Sequence, residues 1–268
     1  MSKINTQHNR IAYLINSTPK YYYILELHLV LLRRYAPNLQ WQVYLATEEP
    51  NHRICKLLEE KYDVQLLILE PENTSFLTSR KRALELLPKE IDMVLLMQED
   101  FLLERFIDKE AIDNSIRYLN GFPRLISVRY MPCPGPQGSK KYTKWLSITK
   151  EYDNYGFTFQ ATLWKRWACQ QWYNAIVKKS NEYKDIDTKI LEVDMNIAEN
   201  AHGQALYYSL FNDNIMLGWP RAYKASNAVY HCPWPYRPTA IIKGVLQSFA
   251  KELALREGVV LKTDSNFI

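Results

Sequence analysis

The chain has 268 residues, enough for one large domain or two small ones, and it is 47% hydrophobic, 24% charged and 13% aromatic, as in globular proteins. Its net charge of +5 suits an anionic ligand, but the 34 basic and 29 acidic residues are spread along the chain, which does not indicate a nucleic-acid partner. The longest apolar runs fall far short of the about 20 residues that span a bilayer. Segment 1–10 is polar and unlike a signal peptide, so we expect a soluble cytoplasmic protein without a transmembrane segment.

The first 130 residues alternate between apolar runs typical of strands and amphipathic stretches typical of helices. The predicted strands are 11–15, 41–46, 64–69, 93–97 and 124–129. The predicted helices are 21–35, 52–62, 79–87 and 108–119. Continuous apolar strands that alternate with helices predict an α/β fold, with a mostly parallel central sheet flanked by helices.

The second half of the chain breaks this alternation. It begins with a Pro/Gly loop at 131–141, followed by two predicted strands at 145–149 and 157–162 and a predicted helix at 163–178. An acidic stretch at 181–199, an aromatic and proline-rich stretch at 220–238 and a predicted helix at 247–257 complete it. No polar linker separates two units, so we interpret residues 1–268 as a single domain.

Common catalytic and nucleotide-binding motifs are missing from the sequence. There are only eight glycines, and no G-x-G-x-x-G, G-x-x-x-x-G-K-S/T, G-x-S-x-G or H-E-x-x-H motif. The cysteines are widely spaced and the sequence has no C-x-x-C pair, which favours reduced thiols over a zinc site or disulfides; they are Cys55, Cys133, Cys169 and Cys232.

The most informative segment is the end of the fourth predicted strand, where Gln98, Glu99 and Asp100 follow an apolar run. The carboxyl edge of an open α/β sheet is where ligands bind. Two adjacent carboxylates are costly unless a positive partner neutralises them, and a divalent cation that also contacts phosphates would do so. The alternative is that the two acids only place negative charge at the next helical turn.

This layout resembles the GT-A fold of nucleotide-sugar glycosyltransferases, in which an acidic motif of D-x-D type follows the fourth strand. More narrowly, residues 94–103 (VLLMQEDFLL) resemble the small GT-A transferases of bacterial polysaccharide clusters and of large DNA viruses such as the chloroviruses. The resemblance implies a nucleotide-sugar-binding half at about 10–130 and an acceptor-binding half at about 131–250. It also implies Mn²⁺ or Mg²⁺ bound by Asp100 and Glu99, with Gln98 beside them where the first acid of the motif often stands.

The same resemblance implies donor-contacting residues elsewhere in the first half. Asn16, Ser17 and Thr18 follow the first strand, where such enzymes hold the nucleotide, although a helix N-cap before a proline explains them equally well. Arg80 and Arg82 precede the acidic motif at the position of a donor-contacting arginine, or they belong to a solvated helix face.

In the second half, the resemblance implies an acid-x-acid element at Glu192 and Asp194, with Asp194 as the general base of an inverting enzyme. The alternative is a solvated acidic stretch. His231 is a candidate third metal ligand, or an ordinary buried or surface histidine. Arg237 and Lys243 are further candidates for positive charge near the departing phosphates.

The resulting hypothesis is a metal-dependent glycosyltransferase that moves a sugar from a nucleotide-diphosphate sugar to a glycan or other hydroxyl acceptor by single displacement. A nucleotidyltransferase of similar fold is one alternative, although segment 16–22 lacks the glycine-rich loop such enzymes use. A non-catalytic carbohydrate-binding relative is the other. The expected location is the cytoplasm, that of the host for a viral enzyme, with peripheral attachment to a membrane left open.

Overall fold

Among the residues that the structure describes, eight strands, numbered β1 to β8 along the chain, form one central sheet in the order β3-β2-β1-β4-β7-β5-β8-β6. The computed structural model describes residues 10–71, 75–135, 140–149, 155–184, 194–220 and 228–261. The strands are Ile11–Asn16 (β1), Gln42–Thr47 (β2), Gln65–Ile68 (β3), Met93–Gln98 (β4), Leu125–Arg129 (β5), Ser147–Ile148 (β6), Thr162–Lys165 (β7) and Ile215–Gly218 (β8). Strands β1 to β4 run parallel, as do β5 and β8, whereas β7 and β6 run antiparallel to their neighbours. The predicted fold class, a mostly parallel sheet flanked by helices, is confirmed.

Helices cover both faces of this sheet. They are Leu25–Tyr35 (α1, preceded by the 3-10 segment Pro19–Ile24), Arg53–Tyr62 (α2), Phe76–Leu86 (α3), Lys109–Gly121 (α4), Arg166–Lys184 (α5), Asp194–Glu199 (α6), Ala201–Leu210 (α7) and Ser248–Glu257 (α8). A short hairpin of Ile241–Ile242 (β9) and Val245–Leu246 (β10) precedes α8. No helix in the described ranges has both the length and the apolar character needed to cross a membrane.

Two hydrophobic cores lie on opposite faces of the sheet. Helices α1, α2, α4 and α8 pack on one face and α3, α5, α6 and α7 on the other. Along β1, the side chains of Ile11, Tyr13 and Ile15 enter the first core, while Ala12 and Leu14 enter the second. Because successive side chains of a strand point to opposite faces, a strand buried on both must be apolar throughout, which explains the unbroken runs in the sequence.

Strand β7 lies later in the chain than the sequence predicted. The segment 157–161 was expected to be a strand, but its amides find side-chain partners: Phe157 N donates to Gln204 Oε1 at 2.9 Å and Phe159 N to Glu199 Oε1 at 2.9 Å. The sheet begins only at Thr162, and Leu163 pairs with Leu95 on one side and Val128 on the other. The start of the predicted helix 163–178 is therefore strand, and α5 begins at Arg166.

The aromatic segment near the C-terminus is part of the first core. Trp234 is fully buried, and its ring lies 5.8 Å from Tyr13, 6.2 Å from Trp41 and 6.5 Å from Tyr130, between ring centroids. The backbone around it is also tied to the segment after β4, since Asp108 N donates to Pro233 O at 3.0 Å. This tryptophan therefore joins the C-terminal part of the chain to the first strands.

We expect Trp234→Ala to lower the free energy of unfolding by about 3–5 kcal/mol, because it removes a buried indole from between three aromatic rings. Urea unfolding measures this change. Trp167→Ala is the matched control, since Trp167 is 48% exposed and its loss should cost no more than about 0.5 kcal/mol. Equal losses in the two variants would contradict the packing described here.

Candidate active site

The predicted donor and metal residues of the first half meet at the carboxyl edge of β1 and β4. The two strands are parallel neighbours, and Asn16 is in register with Gln98. The side chains of Asn16, Ser17, Glu99 and Asp100 are each no more than 8% exposed. Four polar residues from two adjacent strand ends are thus buried at the edge where ligands bind in α/β folds.

Asp100 is held by the C-terminal part of the chain. Its Oδ2 accepts hydrogen bonds from Thr239 Oγ1 and, at 3.1 Å, from Ile241 N, while its carbonyl oxygen accepts from Ala240 N at 3.1 Å. Asp100 is therefore an anchor for the residues that lead into the β9–β10 hairpin. The sequence did not predict this contact.

The backbone of Glu99 is held by a second polar connection that the sequence analysis missed. His28 Nδ1 donates to Glu99 O at 3.0 Å, and Tyr13 Oη donates to His28 Nε2 at 2.6 Å. Burial lowers the pKa of His28 to about 4, so the imidazole is neutral and can donate at one nitrogen and accept at the other. A histidine on the apolar stripe of α1, between Leu25 and Leu32, was the available signal.

The surroundings of the two carboxyl groups do not compensate the charge that both would carry if ionised. Burial is the largest cause that raises the pKa of Glu99, to about 8, and the charge of Asp100 raises it further, while Arg80 acts in the opposite direction. Burial also raises the pKa of Asp100, against the lowering effect of its hydrogen bond from Thr239. An added cation at this edge would therefore be strongly favoured.

The two predicted arginines have different surroundings. Arg80 is buried, with its guanidinium carbon 3.4 Å from the centroid of the Phe76 ring and 5.7 Å from that of Phe159. Its positive charge lowers the pKa of Glu99, so it acts electrostatically on the acidic pair. Arg82 donates instead to the carbonyl oxygen of Glu70, just beyond the edge strand β3, at 3.2 Å.

The nucleotide-side residues also differ in exposure. Thr18 is exposed and leads into the 3-10 segment, with no hydrogen bond from its side chain to the following turn. Gln98 is half-buried, and its carbonyl oxygen accepts from Phe101 N at 3.2 Å, which closes the turn that carries the acidic pair. Asn16 Nδ2 is buried and has no hydrogen-bond acceptor in the part of the chain that the structure describes.

The second-half candidates are described only in part. Asp194 is the first residue of α6, but its side chain and all of Glu192 lie outside the described residues. His231 is exposed. Over the described ranges, no three His, Cys, Asp or Glu side chains are grouped so as to hold a metal ion.

The remaining basic candidates are placed as follows. Arg237 pairs with Glu104 through two hydrogen bonds, Nε to Oε1 at 2.7 Å and Nη2 to Oε2 at 3.0 Å, which engages its guanidinium. Lys243 is exposed at the turn of the β9–β10 hairpin, where its φ is 51°.

Glu99 and Asp100 are the residues at this edge that could hold a divalent cation. Glu99 and Asp100 offer the carboxylate oxygens that hard cations prefer, and Mg²⁺ commonly binds one or two carboxylates together with substrate phosphates and water.

Comparisons with known proteins give similarity in fold. No protein-family model and no curated protein matches this chain. Among solved structures, 4-diphosphocytidyl-2C-methyl-D-erythritol synthase from Anaerococcus prevotii is 14% identical with a TM-score of 0.46, over 81% of this chain and 90% of that one. S. aureus TarS is 12% identical with a TM-score of 0.47, over 80% of this chain but only 35% of that one. Its fragment 1–349 is 13% identical with a TM-score of 0.45, over 80% and 58%. The chemistry has to be inferred from the site itself, and the narrower resemblance to viral sugar transferases stays a prediction.

The raised pKa of Glu99 predicts how the free energy of unfolding changes with pH. Between about pH 4.5 and pH 8 the folded protein keeps a proton on Glu99 that the unfolded chain releases, so the stability of the wild type falls as the pH rises through this window. The Glu99→Gln variant has no carboxyl group at this position and therefore lacks this pH-dependent contribution to stability. We expect its stability relative to wild type to rise with pH by up to about 1.4 kcal/mol per pH unit, measured by urea unfolding in EDTA.

Glu110→Gln is the matched control for this measurement, because Glu110 is an exposed carboxylate in the first turn of α4. It gives the reference for removing an exposed carboxylate, with which the pH dependence of Glu99→Gln is compared. If Glu99→Gln behaved in the same way, the carboxyl of Glu99 would be solvated rather than buried beside Asp100.

Proposed function

We propose that the chain is a glycosyltransferase that moves a sugar from a nucleotide-diphosphate sugar to a hydroxyl group of a glycan or other acceptor. The observation that carries the proposal is the incompletely compensated acidic pair that directly follows β4, beside the end of β1, where Asn16 is a buried amide donor in register with Gln98. Glu99 and Asp100 are buried there, and Asn16 Nδ2 lacks an acceptor among the described residues. A ligand that supplies both a cation and hydrogen-bond acceptors would satisfy both groups.

A metal-bound diphosphate is such a ligand. Two carboxylates alone would repel a diphosphate. The acidic pair and a diphosphate can therefore share this edge only with a divalent cation between them. Glu99 and Asp100 would hold Mn²⁺ or Mg²⁺, which when bound would offset the charge of the diphosphate leaving group. The charge of Arg80, which lowers the pKa of Glu99, adds positive potential at the same place.

The nucleotide would lie along the end of β1. Asn16 Nδ2 is free to donate to an oxygen of the base or ribose, and Ser17 and the exposed Thr18 follow it directly. Because an unsatisfied buried donor costs about 1–3 kcal/mol, binding an acceptor there contributes to affinity. Gln98 lies in register with Asn16 and completes the donor side of the proposed site.

The base that we propose for the acceptor hydroxyl is Asp194. It begins α6, which packs against α3, the helix that carries Arg80. At the other end of α6, Glu199 accepts from Phe159 N, which ties this helix to the segment that enters β7. Asp194 would take the hydroxyl proton as the acceptor attacks the anomeric carbon, with inversion, and Glu192 would assist it as its acidic neighbour.

Thermal unfolding with nucleoside diphosphates and nucleotide sugars tests donor binding. A ligand at about 100 times its dissociation constant adds about 2.7 kcal/mol of stability, and we expect this shift for one nucleotide with Mn²⁺ or Mg²⁺ and not with EDTA. Glu99→Gln, Asp100→Asn and Asn16→Ala should each reduce it. Asn at position 100 keeps an oxygen for Thr239 and Ile241, so the C-terminal anchor is preserved.

Glu110→Gln should shift like wild type in this assay, since its side chain is exposed on α4. A panel in which no nucleotide stabilises the wild type would overturn the proposed function. Release of pyrophosphate in place of a nucleoside diphosphate during turnover would identify a nucleotidyltransferase instead.

Asp194→Asn should lower kcat by about 10²–10⁴-fold, because it removes a general base, while leaving nucleotide binding unchanged. Single-turnover sugar transfer and the thermal shift measure the two effects separately. An unchanged rate, or a product with retained anomeric configuration, would contradict the role assigned to Asp194.

A further inference from the structure

Two tryptophans form a parallel pair at the far end of the same sheet. The ring centroids of Trp145 and Trp219 are 6.2 Å apart and their planes differ by 2°. Trp145 is 57% exposed, although burial of an indole is normally favourable. Trp219 is half-buried and packs against the first core, so the pair combines an exposed indole with one that is anchored. An exposed aromatic side chain supported in this way marks a binding surface more often than a scattered apolar residue does.

The backbone holds this pair in place. Trp145 lies in a tight turn in which Tyr142 N donates to Leu146 O at 2.8 Å, and Thr143 Oγ1 accepts from Trp145 N and Leu146 N, each at 3.1 Å. Trp219 directly follows β8, and its amide donates to Arg129 O at 2.9 Å. A preorganised aromatic surface loses little conformational freedom when a ligand binds.

The pair also lies on the carboxyl edge that carries the acidic residues. Strand β8 is parallel to β5 and, through the antiparallel β7, to β4. Strand β8 lies three strand spacings from β4, which corresponds to about 14 Å at about 4.8 Å per spacing. A single pyranose ring does not span that distance, but a short oligosaccharide does.

We infer that Trp145 and Trp219 form a subsite for a pyranose ring of a glycan acceptor, remote from the transferred sugar. This inference rests on the proposed function. The C–H face of a pyranose is apolar and slightly positive, so it packs on the electron-rich face of an indole. Lys144, whose Nζ is 4.7 Å from the Trp145 ring centroid, already uses this attraction. Cation–π contacts at exposed positions are weak, so a sugar can displace the lysine.

Binding to a printed glycan array, without nucleotide sugar, tests the subsite apart from catalysis. We expect wild type to bind a subset of oligosaccharides and Trp145→Ala to bind them at least about tenfold more weakly, with partial recovery in Trp145→Phe. Trp167→Ala is the matched control. Trp167 is similarly exposed, but it lies at the start of α5, which follows β7 at the opposite edge of the sheet. Urea unfolding should show that Trp145→Ala is as stable as wild type.

The outcomes separate this inference from the proposed function. Glycan binding that depends on Trp145 and persists in Glu99→Gln supports the subsite, even if no nucleotide sugar binds. Equal binding by wild type and Trp145→Ala, or no glycan binding at all, overturns the subsite and leaves donor binding unaffected. A dimer that Trp145→Ala converts to a monomer would show that the pair is a self-association surface and would also overturn it.

Discussion

The buried negative charge after β4 is the constraint on which the proposed site depends. A turn that carries two carboxyl groups in low dielectric needs polar support, and it receives that support from both ends of the chain. His28 on α1 holds the carbonyl of Glu99, while Thr239 and Ile241 hold the carboxyl of Asp100. The acidic pair is thus positioned by hydrogen bonds that leave its net charge in place, which is the arrangement that a cation-binding edge requires.

The first five strands and their helices were predicted well from the sequence because the burial of each element determines the pattern of its own apolar residues. Strands covered on both faces read as continuous apolar runs, and helices covered on one face show helical periodicity. Strand β7 was misplaced because the amides of Phe157 and Phe159 bond to Gln204 and Glu199, some 40 residues away. Helix α7 and strand β8 were missed for a related reason, since the sheet neighbours that stabilise β8 are distant in sequence.

The same distinction applies to the site. The meeting of Asn16 with the acidic motif was predictable, because parallel neighbouring strands end at one edge. The support from His28 and Thr239 was not, since each depends on a contact across 71 residues or more. Arg80 and Arg82 are two residues apart on α3, and the sequence alone does not show that Arg80 is buried against Phe76 while Arg82 donates to Glu70 O.

The antiparallel strand β7 lies between the two ends of the proposed reaction path. It separates β4, which leads to the acidic pair, from β5 and β8, which lead to Trp219. The segment that enters β7 is held at Phe159 by Glu199, the last residue of α6. Helix α6 is therefore fixed to the part of the edge between the proposed donor and acceptor subsites, since Phe159 also lies near Arg80. Asp194, the proposed base at the start of α6, would therefore be attached to the segment that joins the two proposed subsites. Substitutions that remove the hydrogen bond between Glu199 and Phe159 should for this reason lower the rate of sugar transfer more than the binding of either substrate.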